Sequence, residues 1–471
     1  MRARLLSPPR ALRRARRSGV SGFGSDDPRP VESIRDLVEH VASGEKPRAA
    51  WRVGTEHEKI GLHGDTLRRI PFDGPRGIEE LLRRIAAEDG WTPIEEAGRT
   101  VGLEKSGASI SLEPGGQLEL SGAPLATIHE TCGEFSAHLE LVRRVSEPLG
   151  VVWLSLGIDP LHPLPEVPRM PKARYDVMRA YLPSRGELAL DMMHLTATVQ
   201  ANFDWLDERD MVAKLRAAFA VSPIVSAIFA NSSIAAGKPS GFVSRRLHIW
   251  RHTDPDRCGT PAFVFEPGFG YERWVEWAID VPMFFVVRDG RYLPARGMPF
   301  RAFLERGFEG HRPTRGDFER HLTTLFPDVR LKRVIEVRGA DAVPPGLICA
   351  LPALWKGILY DDDACAAAAA LTADWTREER EAATEVVARA GLAARIGDRS
   401  ILALARRLVE VAAEGLRRIA AAGALDPDER GFLEPVRAQL ETGKSPGEAI
   451  LECWDGAWHG SVRRLIDYAR Y

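Results

Sequence analysis

The chain has 471 residues, 44% of them hydrophobic and 28% charged, an ordinary globular composition. Its 64 basic and 66 acidic residues leave a formal net charge of -2, which argues against nucleic-acid or membrane binding as a bulk property. No run approaches the ~18 uninterrupted apolar residues of a membrane-crossing helix, and five scattered cysteines without CxxC spacing exclude a zinc framework or a dense disulfide scaffold.

The first 25 residues hold seven arginines and no acid. A transit peptide has this composition, but residues 1–29 are expected to be a disordered basic tail. Cysteine usage sets a reducing, cytoplasmic location as the default. A length prior of about 150 residues per domain suggests roughly three domains. One catalytic unit over residues 30–471 is the organisation expected here.

"PVESIRDLVEHVASG" carries Ile34, Leu37, Val38 and Val41 at helical spacing and ends at Gly44. "WRVGTEHEKIGL" follows as a strand, so Glu56 and Glu58 share one face and His57 points to the other. "GIEELLRRIAAEDGW" is a helix closed by Gly90, and "ASISLEPGGQLELSGAP" is a hairpin around Pro114-Gly115-Gly116. A long helix then ends at Gly150, before the buried strand "VVWLSLGID".

"MHLTATVQANFDW" alternates, with Thr196, Thr198, Gln200 and Asn202 on one face. "RDMVAKLRAAFAVSPIVSAIFAN" is helical, "GKPSGFVSRRLHIWRHTDPDRCG" reads as a loop, and residues 331–341 form one more alternating strand. Beyond about residue 350 the pattern is almost wholly helical. Strands and helices do not alternate strictly, which favours an α+β fold with a largely antiparallel sheet.

The strands have one feature in common. Glu56 and Glu58, then Gln117 and Glu119, then Gln200 and Asn202, then Glu336 and Arg338 each share a face. One strand alone would be a solvated surface. Four strands rich in acids and amides, with lysine nearly absent, suit a hard divalent cation such as Mg²⁺ with substrate phosphates. Neither GxxxxGK[ST] nor a dinucleotide fingerprint occurs. Anion binders would come from Lys172, Arg174 and Arg179, and from Lys238, Arg245, Arg246, Arg251 and Arg257. The residues thus point to a Mg²⁺-dependent enzyme handling phosphate and a carboxylate substrate.

"GTEHEK", "EPGGQLELSG", "MPKARYDVM", "GKPSGF", "HLTTLFPDVRLKR" and "LPALWKGILYD" together resemble plant-type glutamate–cysteine ligases, a class shared with many bacteria. The resemblance runs from about residue 35 to the C-terminus and lies in the order and spacing of these motifs. It implies a glutamine-synthetase-like fold: a curved antiparallel sheet with one open, carboxylate-lined face, packed by helices.

The activity implied is ATP-dependent joining of the γ-carboxylate of L-glutamate to the amine of L-cysteine. It proceeds through a γ-glutamyl phosphate and begins glutathione synthesis. The alternatives are a related ligase using another amine and a kinase of the same superfamily.

The resemblance also assigns roles. Glu56, Glu58, Glu113, Glu119 and Glu336 are implied metal ligands. Arg338 is implied to contact phosphate. Gln200 sits where related ligases place a metal-binding histidine, and is expected on the cofactor side. Arg174 and Arg246 are implied to hold the glutamate carboxylate or phosphate, and Met193 and Thr196 to line the substrate pocket. The implied partners are L-glutamate, L-cysteine and ATP, with no nucleic acid or membrane, on a monomer or homodimer.

Cys132 and Cys349 match one of two regulatory disulfides of the plant enzymes. The second pair is missing, with Ala295 at its first position. Redox control of the plant kind is therefore not expected, and free buried cysteines are at least as well supported as a bridge.

Overall fold

A strand forms over "VGTEHEKIGLH". In a computed structural model, which describes residues 27–423 and 427–471, β1 spans Val53–His63. The expected basic tail lies outside the described residues except for Asp27 to Arg29. Eight strands join β1: β2 (Thr92–Glu96), β3 (Arg99–Lys105), β4 (Ala108–Leu112), β5 (Leu118–Ser121), β6 (Val151–Leu154), β7 (Val199–Phe203), β8 (Val329–Leu331) and β9 (Ile335–Val337).

The order across the sheet is β8-β9-β7-β1-β5-β4-β3-β2, and β6 pairs the C-terminal half of β1. Every pairing in this sheet is antiparallel, as expected for the α+β class.

Period-two alternation sends apolar residues to the back of the sheet. Leu118, Leu120, Val199, Ala201, Phe203, Ile335 and Val337 are all at most 2% exposed. Burial of each large side chain is worth about 1.5–3 kcal/mol. The helices Ile128–Ser146 and Ala350–Leu359 cover this face. The first starts at a reciprocal cap, where Thr127 accepts from Glu130 N–H and Glu130 accepts from Thr127 N–H.

Behind them, Ala350–Leu359 packs against the long helix Ile401–Ala422. Gly357 and Gly415 permit the close approach, since a Cβ on either would strike the opposing backbone. The helix Glu208–Ile228 is apolar and long enough to cross a membrane, but 83% of its apolar window is buried inside the fold.

Three elements differ from expectation. Residues 331–341 are not one strand: β8 and β9 form a hairpin, and Lys332 N–H donates to Val334 C=O at 3.0 Å in its turn. That turn has neither glycine nor proline, so the alternating pattern runs through it unmarked. The strand in "MHLTATVQANFDW" starts only at Val199, because Ala189–Leu195 is helical and the Thr196 hydroxyl donates to Met192 C=O at 2.7 Å. Within the expected 237–259 loop, Arg245–Arg251 is a helix whose cap, the Ser244 hydroxyl, accepts from Leu247 N–H at 3.2 Å.

Cys132 and Cys349 form a disulfide, with 5.6 Å between their Cα atoms, rather than standing as free buried thiols. Nothing in the spacing of 217 residues announces the pairing; it follows from the two helices meeting behind the sheet. Removing a bridge that closes so long a loop costs about 2–4 kcal/mol. Cys132→Ser should therefore melt below the wild type without reductant, and reductant should bring the wild type to the same temperature. Equal melting of both proteins without reductant would show that the bridge contributes nothing.

Candidate active site

The strand registers bring the acids together. Glu58 stands directly opposite Glu119, and Glu119 opposite Ser111, across β1, β5 and β4. Glu56 stands opposite Gln200 on one side and Ser121 on the other. Asn202 stands opposite Glu336, and Glu336 opposite Arg330. Directly opposed residues share a face with Cβ atoms only about 4.5–5.5 Å apart, so the acids make a diagonal band. On this face Glu56, Glu119 and Glu336 are 4%, 6% and 0% exposed. The band therefore lies on the expected carboxylate-lined open face of the sheet, where it forms the floor of a cavity.

Burial with few partners has electrostatic consequences. Glu119 accepts from the hydroxyls of Ser111 (2.9 Å) and Ser121 (2.8 Å). Glu58 accepts the Thr198 N–H at 2.9 Å, and Glu56 accepts from the Asn202 amide at 3.2 Å. All these donors are neutral. Burial, then repulsion from Glu336 and Glu119, pushes Glu56 up to about 7. Burial and Glu113 push Glu119 up to about 7 as well. Glu58 rises well above the ordinary carboxylate range, through burial and then Glu113 and Glu119.

Glu336 differs. It bonds Arg330 (2.7 Å), Lys332 (2.7 Å) and Arg338. Burial opposes its ionisation, but these three cations overcome that and hold it well below the ordinary range.

A cavity of about 130 Å³ lies over the band. Glu56, Glu58, Glu113, Glu119, Gln200, Arg174, Arg246, Arg338, Met193 and Thr196 all line it, so ten of the expected site residues converge. Glu336 is the exception: it lies beneath the lining, inside its ion-pair cluster. Of the other expected anion binders, Lys172 lines the cavity, whereas Arg179 bonds His194 (3.1 Å) and Arg257 is buried against Asp254. Lys238, Arg245 and Arg251 also stand outside it.

Arg246 is fixed from below. Asp341 lies 3.8 Å from it and accepts from Ser232, Ser244 and the Asn231 N–H, while Arg246 Nη2 donates to Arg338 C=O at 3.0 Å. Its buried Nε has no acceptor among the described residues.

Sequence reasoning missed Arg330 and Lys332, which flank Glu336, and the aromatic lining Tyr175, Trp250 and Phe326. Arg330, Lys332 and Glu336 would have stood out together had the turn between β8 and β9 been recognised. A second cavity of about 320 Å³ shares Glu56 and Thr323 with the first and contains Lys46, Arg52, Lys332 and Arg333.

The turn holding Glu113 is set by close contacts. Arg69 Nη2 donates to Gly115 C=O at 2.5 Å, and Gln117 donates to Thr196 C=O at 2.7 Å. A Cβ on Gly115 would strike the His194 carbonyl. Gly115→Ala should therefore shift Glu113 and Gln117, and displacement of ~1 Å costs about 100-fold in rate. Steady-state kinetics on the purified variant checks this; an unchanged kcat/KM would show that the turn tolerates the methyl group.

Residues 52–468 match the family described as glutamate-cysteine ligase family 2 (GCS2). A chloroplastic glutamate–cysteine ligase of Brassica juncea is 46% identical over 439 residues, 93% of this chain and 84% of that one. Its counterpart in Medicago truncatula is 45% identical over 440 residues, again 93% of this chain and 85% of that one. Among solved structures, a glutamate–cysteine ligase of Francisella tularensis in complex with AMP superposes with a TM-score of 0.52 at 13% identity, covering 89% of this chain and 87% of that one, a likeness of fold. The plant relatives also correct one expectation: they are chloroplastic enzymes, against the cytoplasmic location read from cysteine usage.

Proposed function

The chain belongs to glutamate-cysteine ligase family 2, and from that premise we propose how its carboxylate-lined sheet face performs the reaction. The enzyme joins L-glutamate to L-cysteine in glutathione biosynthesis. ATP phosphorylates the γ-carboxylate of glutamate and leaves as ADP. The cysteine amine then attacks the acyl carbon, phosphate departs and the amine loses a proton. Phosphoryl transfer needs positioning and charge neutralisation above all.

One observation carries this reading: Glu56, Glu58 and Glu119, whose hydrogen bonds described above come from neutral donors, share a cavity with Arg246 and Arg338. Glu56, Glu58, Glu113 and Glu119 fit a hard cation, being oxygen donors on one cavity, and burial resists the ionisation of Glu56, Glu58 and Glu119. Bound there, Mg²⁺ would neutralise charge between ATP phosphates and the acceptor carboxylate. Arg246, with its unpartnered Nε and its seat on Asp341, suits a glutamate carboxylate. Arg338, whose Nη1 donates to Gln200 at 2.7 Å, suits the transferring phosphoryl group. The larger cavity, where Lys46, Arg52, Lys332 and Arg333 stand beside Asp204 and Glu319, would take the nucleotide, so that transfer crosses at Glu56, the acid common to both. Residues 30–471 would act as one catalytic unit.

The test is release of ADP and phosphate with product mass. Turnover should require glutamate and cysteine together and yield γ-glutamylcysteine. A higher kcat/KM with another amine would make this a ligase of different specificity. A stable phosphorylated product without amine would make it a kinase.

Cation binding also has a pH signature. The folded protein holds protons on Glu56 and Glu119 up to about 7, where the unfolded chain has lost them. These groups therefore cost stability as pH rises from about 4.3 through 7. Buried His40, His194 and His321, each held down near 4 by burial, act in the opposite sense, with or without metal. The rise in melting temperature caused by Mg²⁺ isolates the carboxylates. It should grow from about pH 5 to about pH 8 as protons cease to compete with the cation. A rise independent of pH would remove the acids from the metal site.

A further inference from the structure

The helix Arg245–Arg251 presents two faces. Arg246 and Trp250, four residues apart, line the active-site cavity. His248 and His252, also four apart, are offset from them by two residues, about 200° around a helix of 3.6 residues per turn. On that side lies the helix Arg377–Ala390, which carries Glu385. One ligand atom from each of His248, His252 and Glu385 can be chosen so that all lie within 4.8 Å of one another. All three residues are partly exposed, so the cluster is open to solvent.

We propose that His248, His252 and Glu385 form a second metal site, outside the carboxylate cavity, for a borderline divalent cation of the Zn²⁺ class. The donor set separates the two sites chemically: imidazole suits zinc, cobalt or nickel, whereas the all-oxygen cavity suits Mg²⁺.

The surrounding bonds are those of an oriented ligand set. His252 Nδ1 bonds the His248 carbonyl at 2.9 Å, which fixes the ring and leaves Nε2 as its lone-pair nitrogen. His248 Nδ1 lies 2.9 Å from Glu385 Oε2, in the position of a hydrogen bond that a metal would replace, the ring proton moving to Nε2. Arg389 holds Glu385 Oε1 at 2.8 Å, leaving Oε2 to the cation. Phe242 stacks on His248 at 4.2 Å between centroids and restricts its ring. Water would complete the coordination. Occupancy would clip the helix bearing Arg246 and Trp250 to its neighbour.

The test uses the full chain, stripped of metal and kept in excess Mg²⁺ so that the carboxylate cavity is occupied. Zn²⁺ is titrated against a chromophoric chelator, and melting temperature is followed in parallel. The wild type should hold one equivalent of Zn²⁺ and melt higher with it. His252→Gln and Glu385→Gln should each lose at least tenfold in affinity and lose the thermal shift while melting normally without zinc. His248→Asn serves as a third variant should either of these fail to fold. No zinc equivalent in the wild type, or the same affinity in every folded variant, would overturn the site and leave a hydrogen-bonded contact between two helices.

Discussion

Glu58→Gln should lower kcat by about 10²–10³-fold, the usual loss when one preorganised electrostatic group is removed from an active site, and should at the same time raise the melting temperature of the metal-free enzyme. Both effects have one cause. Glu58 is directly opposite Glu119, and burial together with Glu113 and Glu119 resists its ionisation. The folded chain tolerates that charge at a cost in stability, because the charge is needed when cation and substrate arrive. Glutamine keeps the shape and can still accept the Thr198 N–H through its carbonyl oxygen.

The neutral variant therefore loses the repulsion and keeps the packing. Melting curves without Mg²⁺, set beside single-turnover kinetics, separate the two effects. A variant that turns over like the wild type removes Glu58 from the reaction. One that melts well below it shows instead that the carboxylate holds the sheet together.

The acid band was legible in the sequence because alternation is a strong code. Once Glu56, Glu58, Gln117, Glu119 and Gln200 are placed on strands, their common face follows from period two alone. What alternation cannot carry is which strands are neighbours. The pairing of Glu58 with Glu119, and of Glu336 with Asn202, depends on a sheet order in which the first strand sits between the fifth and seventh.

Turns without glycine or proline were also invisible. The hairpin at Lys332–Val334 was read through as strand, and with it the basic neighbours of Glu336 were lost. Helix Arg245–Arg251 was hidden by flanking Gly, Pro and Ser, although Ser244 is its cap. The Cys132–Cys349 pair rests on the meeting of two helices distant in sequence, which no local pattern encodes.

Glu336→Gln should reduce activity as strongly as Glu58→Gln, yet move stability the other way. Its carboxylate is fully buried and bonded to Arg330, Lys332 and Arg338 together. Neutralising it leaves buried Arg330 and half-buried Lys332 and Arg338 facing one another, and breaking a buried pair in this manner costs about 3–5 kcal/mol. A large fall in melting temperature follows. Arg338 should also lose its place, since its Nη1 is shared between Glu336 and Gln200.

The two glutamates thus have opposite energetics on one sheet face: for Glu58 burial and acidic neighbours outweigh the pull of Arg246, whereas Glu336 is saturated with counter-charges. A second substitution sharpens the distinction. Lys332→Met on the Glu336→Gln background removes one stranded cation and should recover part of the lost stability, a coupling that a double-mutant cycle measures directly. Recovered stability with activity still absent would mean that the carboxylate itself serves the reaction, as a metal ligand or through Arg338. Recovery of both would reduce Glu336 to the counter-ion of the β8–β9 hairpin and end its assignment as a ligand.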